Sequence, residues 1–170
     1  MLSKGGVKLH LGYTGPFTIL GLGFDYGVSK KINVGLRYHR SFKETILGRG
    51  LRLVSIMPKV ALVQEKLAAT LPVTILFVEG SSIWAVSPGL QFSDRTDNLE
   101  LTLGVRSDIP LSKQEPDGVF LSATIGAGFS RNLDRWAIRP EIGILLLTNS
   151  GSPVFTVGLS ASCTLHTGKE

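Results

Sequence analysis

The sequence predicts an all-β chain folded as an antiparallel, up-and-down transmembrane β-barrel of about ten strands, with eight as the alternative. Three observations predict it. Apolar and polar residues alternate with period two along most of the 170 residues, the pattern of strands with one apolar and one polar face. The alternating segments are long, many of them near the ~9–11 residues that a strand needs to cross a bilayer at a tilt. Hydrophobic residues make up 43% of the chain and charged residues 18%. Yet no apolar run approaches the ~20 residues of a membrane helix; the longest, Ile142–Leu147, has Gly143 inside it.

The elements follow in order. Val7, Leu9, Leu11 and Tyr13 alternate with Lys8, His10, Gly12 and Thr14, up to a turn at Gly15-Pro16. Leu20 to Val28 alternates with Gly21, Gly23, Asp25 and Gly27, and Ser29–Lys31 turns the chain. Ile32, Val34, Leu36 and Tyr38 alternate with Asn33, Gly35, Arg37 and His39, before a polar loop over Lys43–Gly50. Leu51–Val63 and Leu67–Val78 read as two strands joined at Gln64–Lys66. Their alternation is weaker, and Pro58 and Pro72 are expected at bulges or ends, because a central strand normally excludes proline. Clean alternation resumes at Trp84–Phe92, Leu99–Val105, Val119–Phe129, Ile138–Leu146 and Phe155–Leu165. Short connections (Ser29–Lys31, Gln64–Lys66, Asp94–Asn98, Arg131–Arg135) fall at one end. Longer ones (Lys43–Gly50, Ile109–Gly118, Thr148–Pro153) fall at the other, although Gly15-Pro16 and Glu79–Ser82 blunt the contrast. Short turns on one side and longer loops on the other are the pattern of a membrane barrel, and would put both termini on the periplasmic side.

A soluble lipocalin-like barrel carrying an apolar ligand also alternates, with its apolar face inward. Three features favour the opposite sense. Ten glycines (Gly12, Gly21, Gly23, Gly35, Gly89, Gly104, Gly126, Gly128, Gly143 and Gly158) fall on the polar face. A water-exposed sheet would use Thr, Lys or Glu there, whereas a crowded lumen rewards the smallest residue. Aromatic residues gather near strand ends, as membrane-interface girdles do: Tyr13, Tyr38, Trp84, Phe92, Phe129, Trp136 and Phe155, with Phe17 and Phe42 beside them. The mid-strand charges have both signs and share the polar face, giving a charged lumen network of Asp25, Arg37, Lys59, Glu100, Arg106, Arg139 and Glu141. Buried charges need partners, and a lumen supplies them.

The formal net charge is +5, but the basic residues are scattered. Lys30-Lys31 is the one adjacent pair, unlike the clustered stripe of a nucleic-acid binder. No nucleic-acid partner is expected. Cys163 is the single cysteine and reads as a small strand residue. No spacing of Cys or His suits zinc, and His10, His39 and His166 are far apart. No metal or cofactor is expected. The glycine pairs Gly21/Gly23 and Gly126/Gly128 lack the third glycine and the following helix of a nucleotide motif. Residues 1–170 read as one barrel domain, and if the protein is exported its signal peptide is absent from this chain.

In its repeated Gly-x-apolar segments, in the stretch Trp136–Gly143 and in the terminal strand Phe155–Cys163, the chain resembles a small bacterial outer-membrane β-barrel of the OmpA/OmpX-type or related porin-like group. The terminal strand is similar, through Thr156, Gly158, Ala161 and Cys163, to the signal read by barrel-assembly machinery. It lacks a terminal Phe and continues to Glu170. The resemblance implies residence in the outer membrane of a Gram-negative bacterium, contact with membrane lipid and with lipopolysaccharide, insertion by the barrel-assembly machinery, and a protein partner at the loops.

One local motif invites chemistry. His39 and Ser41 share a strand face, and a His beside a Ser can activate the hydroxyl, with Glu44 as an orienting carboxylate. Outer-membrane lipid A deacylases carry a similar His-x-Ser, but continue with Asn-Ala where this chain has Phe42-Lys43. The expected function is a structural, anchoring or narrow-conduit role in transport, without catalysis. A lipid-modifying esterase using His39 and Ser41 and a soluble carrier are the alternatives. Lys43, Arg49 and Lys113 are the loop cations suited to anionic lipopolysaccharide.

Overall fold

The computed structural model describes residues 2, 6–15, 18–42, 50–78, 81–111, 119–148 and 152–165. Twelve hydrogen-bonded segments run in chain order: β1 (Val7–Gly15), β2 (Ile19–Gly27), β3 (Ile32–Ser41), β4 (Arg52–Val63), β5 (Leu67–Thr70), β6 (Val73–Val78), β7 (Ser81–Val86), β8 (Gly89–Arg95), β9 (Leu99–Pro110), β10 (Phe120–Phe129), β11 (Trp136–Leu147) and β12 (Pro153–Leu165). All pairings between the described strands are antiparallel, and β12 returns to β1 from Val7↔Leu165 to Gly15↔Val157. β10 likewise pairs with both β9 and β11. The sheet is closed, which removes the open edges that hydrocarbon cannot satisfy.

The twelve segments make ten barrel strands. β5 and β6 are halves of one, β7 and β8 of the next. The register does not change across the interruptions: Thr70↔Gly89 on one side continues as Val73↔Val86 on the other. Each interruption is a proline that gives up its amide bond and keeps its carbonyl in the ladder. Leu71 N donates to Pro58 O at 3.1 Å, Ser87 N to Pro72 O at 2.8 Å and Ser107 N to Pro88 O at 3.0 Å. Pro72 falls at the break between β5 and β6, as expected of an end, whereas Pro58 corrects the expectation of a bulge or end. Pro58 lies inside β4 opposite Val34, with the register intact around it. The register shift in β4 falls instead between Ala61 and Val63, beside the tight turn. A second correction concerns β9, which runs to Pro110 through residues expected in a loop. Outward Ser107 interrupts the alternation there without ending the strand. Carried once round the barrel, the pairing returns to β1 about 12 residues from its start, and for ten strands such a stagger tilts them by roughly 40°.

The sheet is turned inside out relative to a soluble protein. Leu22 is 59% exposed, Ile142 60% and Phe155 73%, and no large side chain among the described residues is fully buried. The buried residues include the small or polar Ser55, Ala61, Ala68, Thr74, Ala85, Ala137 and Ser162. Ser55 and Thr74 hydrogen-bond at 2.8 Å. A soluble carrier needs an apolar interior for its ligand; the interior here is mainly polar, so that alternative does not fit. The exception is the wall made by β4, β6 and β7, where Leu53↔Leu76 and Leu76↔Ile83 pair on the inward face. That is why the alternation weakens in this part of the sequence. The tight turns close one end of the barrel, where β1 begins and β12 ends; the connections through 42–51 and 111–119 lie at the other.

Candidate lumen site

The inward faces bring charges together in three groups. On the wall of β1, β2 and β3, Asp25 is held from both sides. His10 Nε2 lies 2.6 Å from its Oδ2, and Arg37 Nη2 reaches Oδ1 at 2.8 Å and Oδ2 at 2.9 Å. Arg37 Nη1 also donates to the carbonyls of Phe24 and Leu36, at 3.1 and 3.2 Å. On the facing strands, Arg139 of β11 pairs with Glu100 of β9 through Nη2 at 2.6 Å and Nε at 3.2 Å, and donates to Ser162 Oγ of β12. Between these walls, Lys59 Nζ of β4 donates to Gln91 Oε1 of β8 at 2.7 Å. Lys8 lies within electrostatic reach of Asp25, Glu100, Arg139 and Lys59. It makes no hydrogen bond or ion pair among the described residues.

Glycine makes these pairings possible. Arg139 and Glu100 stand on strands separated by β10, and the residue of β10 opposite Glu100 is Gly128. A Cβ there would lie 3.1 Å from Arg139 Nε and 3.3 Å from Glu100 Oε2. Gly23 opposes Arg37, Gly35 opposes Asp25 and Gly21 opposes His39. Added Cβ atoms at these three would come within 2.5, 2.3 and 2.4 Å of Arg37 Cδ, Asp25 Oδ1 and His39 Cδ2. Each of these long or charged side chains lies down across a glycine on the neighbouring strand.

All seven charges expected in the lumen point inward, but they do not form one network. Asp25 joins Arg37 and Glu100 joins Arg139, while Lys59 takes an amide partner. Arg106 pairs along its own strand with Asp108, at 3.0 and 3.2 Å. Glu141 lies across Gly158, with Arg106 as its electrostatic neighbour, and makes no ion pair among the described residues. Lys8, His10, Gln91, Asp108 and Ser162 were not singled out as site residues from the sequence. The available signal is parity: Lys8 and His10 share that of Gly12, Gln91 that of Gly89, Asp108 that of Glu100 and Ser162 that of Gly158.

The aromatic residues fall outward at two levels. Tyr13, Tyr38, Trp84 and Phe155 lie toward the long-loop end of their strands, and Phe92, Phe129 and Trp136 toward the tight-turn end. His39 and Ser41 face the lumen, and Ser41 is only 3% exposed. His39 rests on Gly21, and no hydrogen bond joins it to Ser41 among the described residues. Glu44, His166, Lys43, Arg49, Lys113 and Phe17 lie outside the described residues. A depression of about 660 Å³ is lined by Ala69, Leu90, Val105, Arg106, Leu121 and Ile144 among others.

No family model matches the chain, and no curated protein matches it. Among solved structures, it is similar to the N-terminal β-barrel domain of Pseudomonas aeruginosa OprF, with a TM-score of 0.46 and 10% identity over 96% of this chain and 100% of that one. It is also similar to OmpT, an outer membrane protein of Vibrio cholerae, with a TM-score of 0.40 and 12% identity over 87% of this chain and 56% of that one. A third is Acinetobacter baumannii CarO, with a TM-score of 0.38 and 11% identity over 95% and 98%. By its closed register and exposed apolar face, the chain is a closed, ten-stranded antiparallel β-barrel with an apolar outer wall.

Proposed function

We propose that the chain is an integral barrel of the bacterial outer membrane with a narrow, anion-preferring lumen, long loops outward, and no catalytic role. The observation that carries this reading is the charge balance around Lys8. There, four cations, Lys8, Arg37, Lys59 and Arg139, stand with two carboxylates, Asp25 and Glu100, while Arg106, Asp108 and Glu141 form a separate group with one cation and two carboxylates. Low-dielectric walls focus such a field, and Lys8, the cation without a hydrogen bond, offers the first stop for a passing anion. The Arg–carboxylate pairs lie along the wall over Gly23, Gly35 and Gly128, and a ten-stranded barrel is near the size that side chains fill, so the conduit is small.

Planar-bilayer recording tests this. The expected result is small unitary currents whose reversal potential in a salt gradient favours chloride over potassium. Lys8→Gln should weaken that preference, and Arg37 or Arg139 substitution should raise conductance. A flat baseline for every variant would leave a purely anchoring barrel. The membrane assignment itself predicts a need for detergent and heat-modifiable gel migration. Insertion by barrel-assembly machinery and a protein partner at the loops belong to the same proposal.

A further inference from the structure

Among the described residues the outer wall is mainly apolar; besides Ser82, Asp94 and Ser107 it carries a pair of arginines. Arg40 and Arg52 are both exposed, face outward and stand directly opposite each other on β3 and β4. The register fixes their height. Leu20, Arg40, Arg52 and Phe77 form one outward row across β2, β3, β4 and β6. The next row toward the middle of the wall is Leu22, Tyr38, Val54, Ile75 and Trp84. The guanidinium groups thus stand one row beyond the girdle aromatics Tyr38 and Trp84, at the long-loop end. That is where the headgroups of a bilayer leaflet begin.

Like charges directly opposite on neighbouring strands repel. Neither arginine makes a hydrogen bond or ion pair among the described residues; Arg40 lies 5.4 Å over the Phe42 ring. Two guanidinium forks side by side match an anion with several oxygens and a charge near −2. A phosphomonoester carries about −1.5 to −2 at neutral pH and accepts bidentate bonds from arginine. A phosphodiester headgroup offers a single charge.

We propose that Arg40 and Arg52 form a site on the outer wall for the phosphomonoester headgroup of a membrane lipid, whose acyl chains lie against Leu22, Val54 and Ile75. The lipid class is the phosphorylated saccharolipid of the outer leaflet, the lipid A part of lipopolysaccharide. The site is distinct from the loop cations and the lumen.

The test is native mass spectrometry of the full chain refolded in detergent and titrated with lipid A, with phosphatidylglycerol as the diester comparison. Lipid A should be retained at least about tenfold more tightly than the diester, and Arg40→Gln/Arg52→Gln should lose about that factor, one charge-assisted contact's worth. Arg40→Lys/Arg52→Lys, which keeps the charge without the fork, should fall between. Heat-modifiable migration of each variant checks folding. Equal retention by wild type and the Gln pair, equal retention of both lipids, or full displacement by millimolar inorganic phosphate would each overturn the site. The proposal rests on the outer wall facing lipid. A chain that stays folded and soluble without detergent removes that premise, whereas a detergent-requiring barrel whose lipid A retention ignores both arginines removes this site alone.

Discussion

Gly35 is excluded from carrying a side chain by the charge lying across it. A Cβ there would stand 2.3 Å from Asp25 Oδ1 and 3.2 Å from Arg37 Nη1. Asp25 is short and tied to both His10 and Arg37, so it cannot swing aside without losing a partner. Gly35→Val is therefore expected to destabilise the barrel by about 1–3 kcal/mol, the usual range for overpacking, read from urea unfolding in detergent. Gly12→Ala is the control, because its Cβ would meet Ser160 Cβ at an ordinary 3.4 Å; it should stay within about 0.5 kcal/mol. Equal losses at both positions would mean that the cost comes from strand propensity and not from the Asp25 cluster. The glycines were legible in the sequence as a lumen-facing set, because period two alone assigns a face. Which charge each one accommodates was not. Arg139 meets Glu100 across an intervening strand, and that contact depends on the register of β9, β10 and β11 together. Lys8 and His10 were passed over for a related reason: they stand near the start of β1, where a charge reads as a strand end.

At the scale of the element, strand positions were readable wherever the outer wall was uniformly apolar. The alternation placed a strand over Leu51–Val63, and β4 spans Arg52–Val63. It failed where a face changed character. Inward Leu53, Leu76 and Ile83 flatten the pattern near the prolines, and outward Ser107 hides the last stretch of β9, toward the long-loop end. Proline was over-read, because a single lost amide bond does not end a strand whose carbonyl stays paired. The turn after β4 holds the cost that the sequence did not reveal. Glu65 has φ of 62°, within a turn closed by Lys66 N donating to Val63 O at 3.1 Å. A left-handed backbone costs most residues roughly 1–2 kcal/mol, and Asn less. Glu65→Asn should raise stability by about 0.5–1 kcal/mol on that account, measured as a higher urea midpoint with an unchanged slope. A lower midpoint would show that the Glu65 side chain contributes more than its backbone costs.

At the scale of the whole molecule, the two Arg–carboxylate clusters hold opposite walls of one lumen, so neutralising both acids tests what the interior charges do for the barrel. Asp25→Asn/Glu100→Gln leaves Lys8, Arg37, Lys59 and Arg139 facing one another with near-isosteric amides between them. Two effects follow, and ionic strength separates them. Lost charge-assisted hydrogen bonds cost roughly 1.5–3 kcal/mol each when both partners are ordered, less in a lumen that admits water, and salt changes this little. Repulsion among the cations is screened as the Debye length falls from ~30 Å at 0.01 M to ~3 Å at 1 M. The double variant is expected to lose stability most at low salt and to recover part of it at high salt, while its reversal potential shifts further toward chloride. A deficit independent of salt, with wild-type selectivity, would mean that the carboxylates serve as hydrogen-bond acceptors and the cations do not sense one another. The anion preference would then have to come from the rims. A salt-dependent deficit places the selectivity and the marginal stability of the barrel in the same few residues, and the glycines opposite them are what allow both to fit inside so narrow a wall.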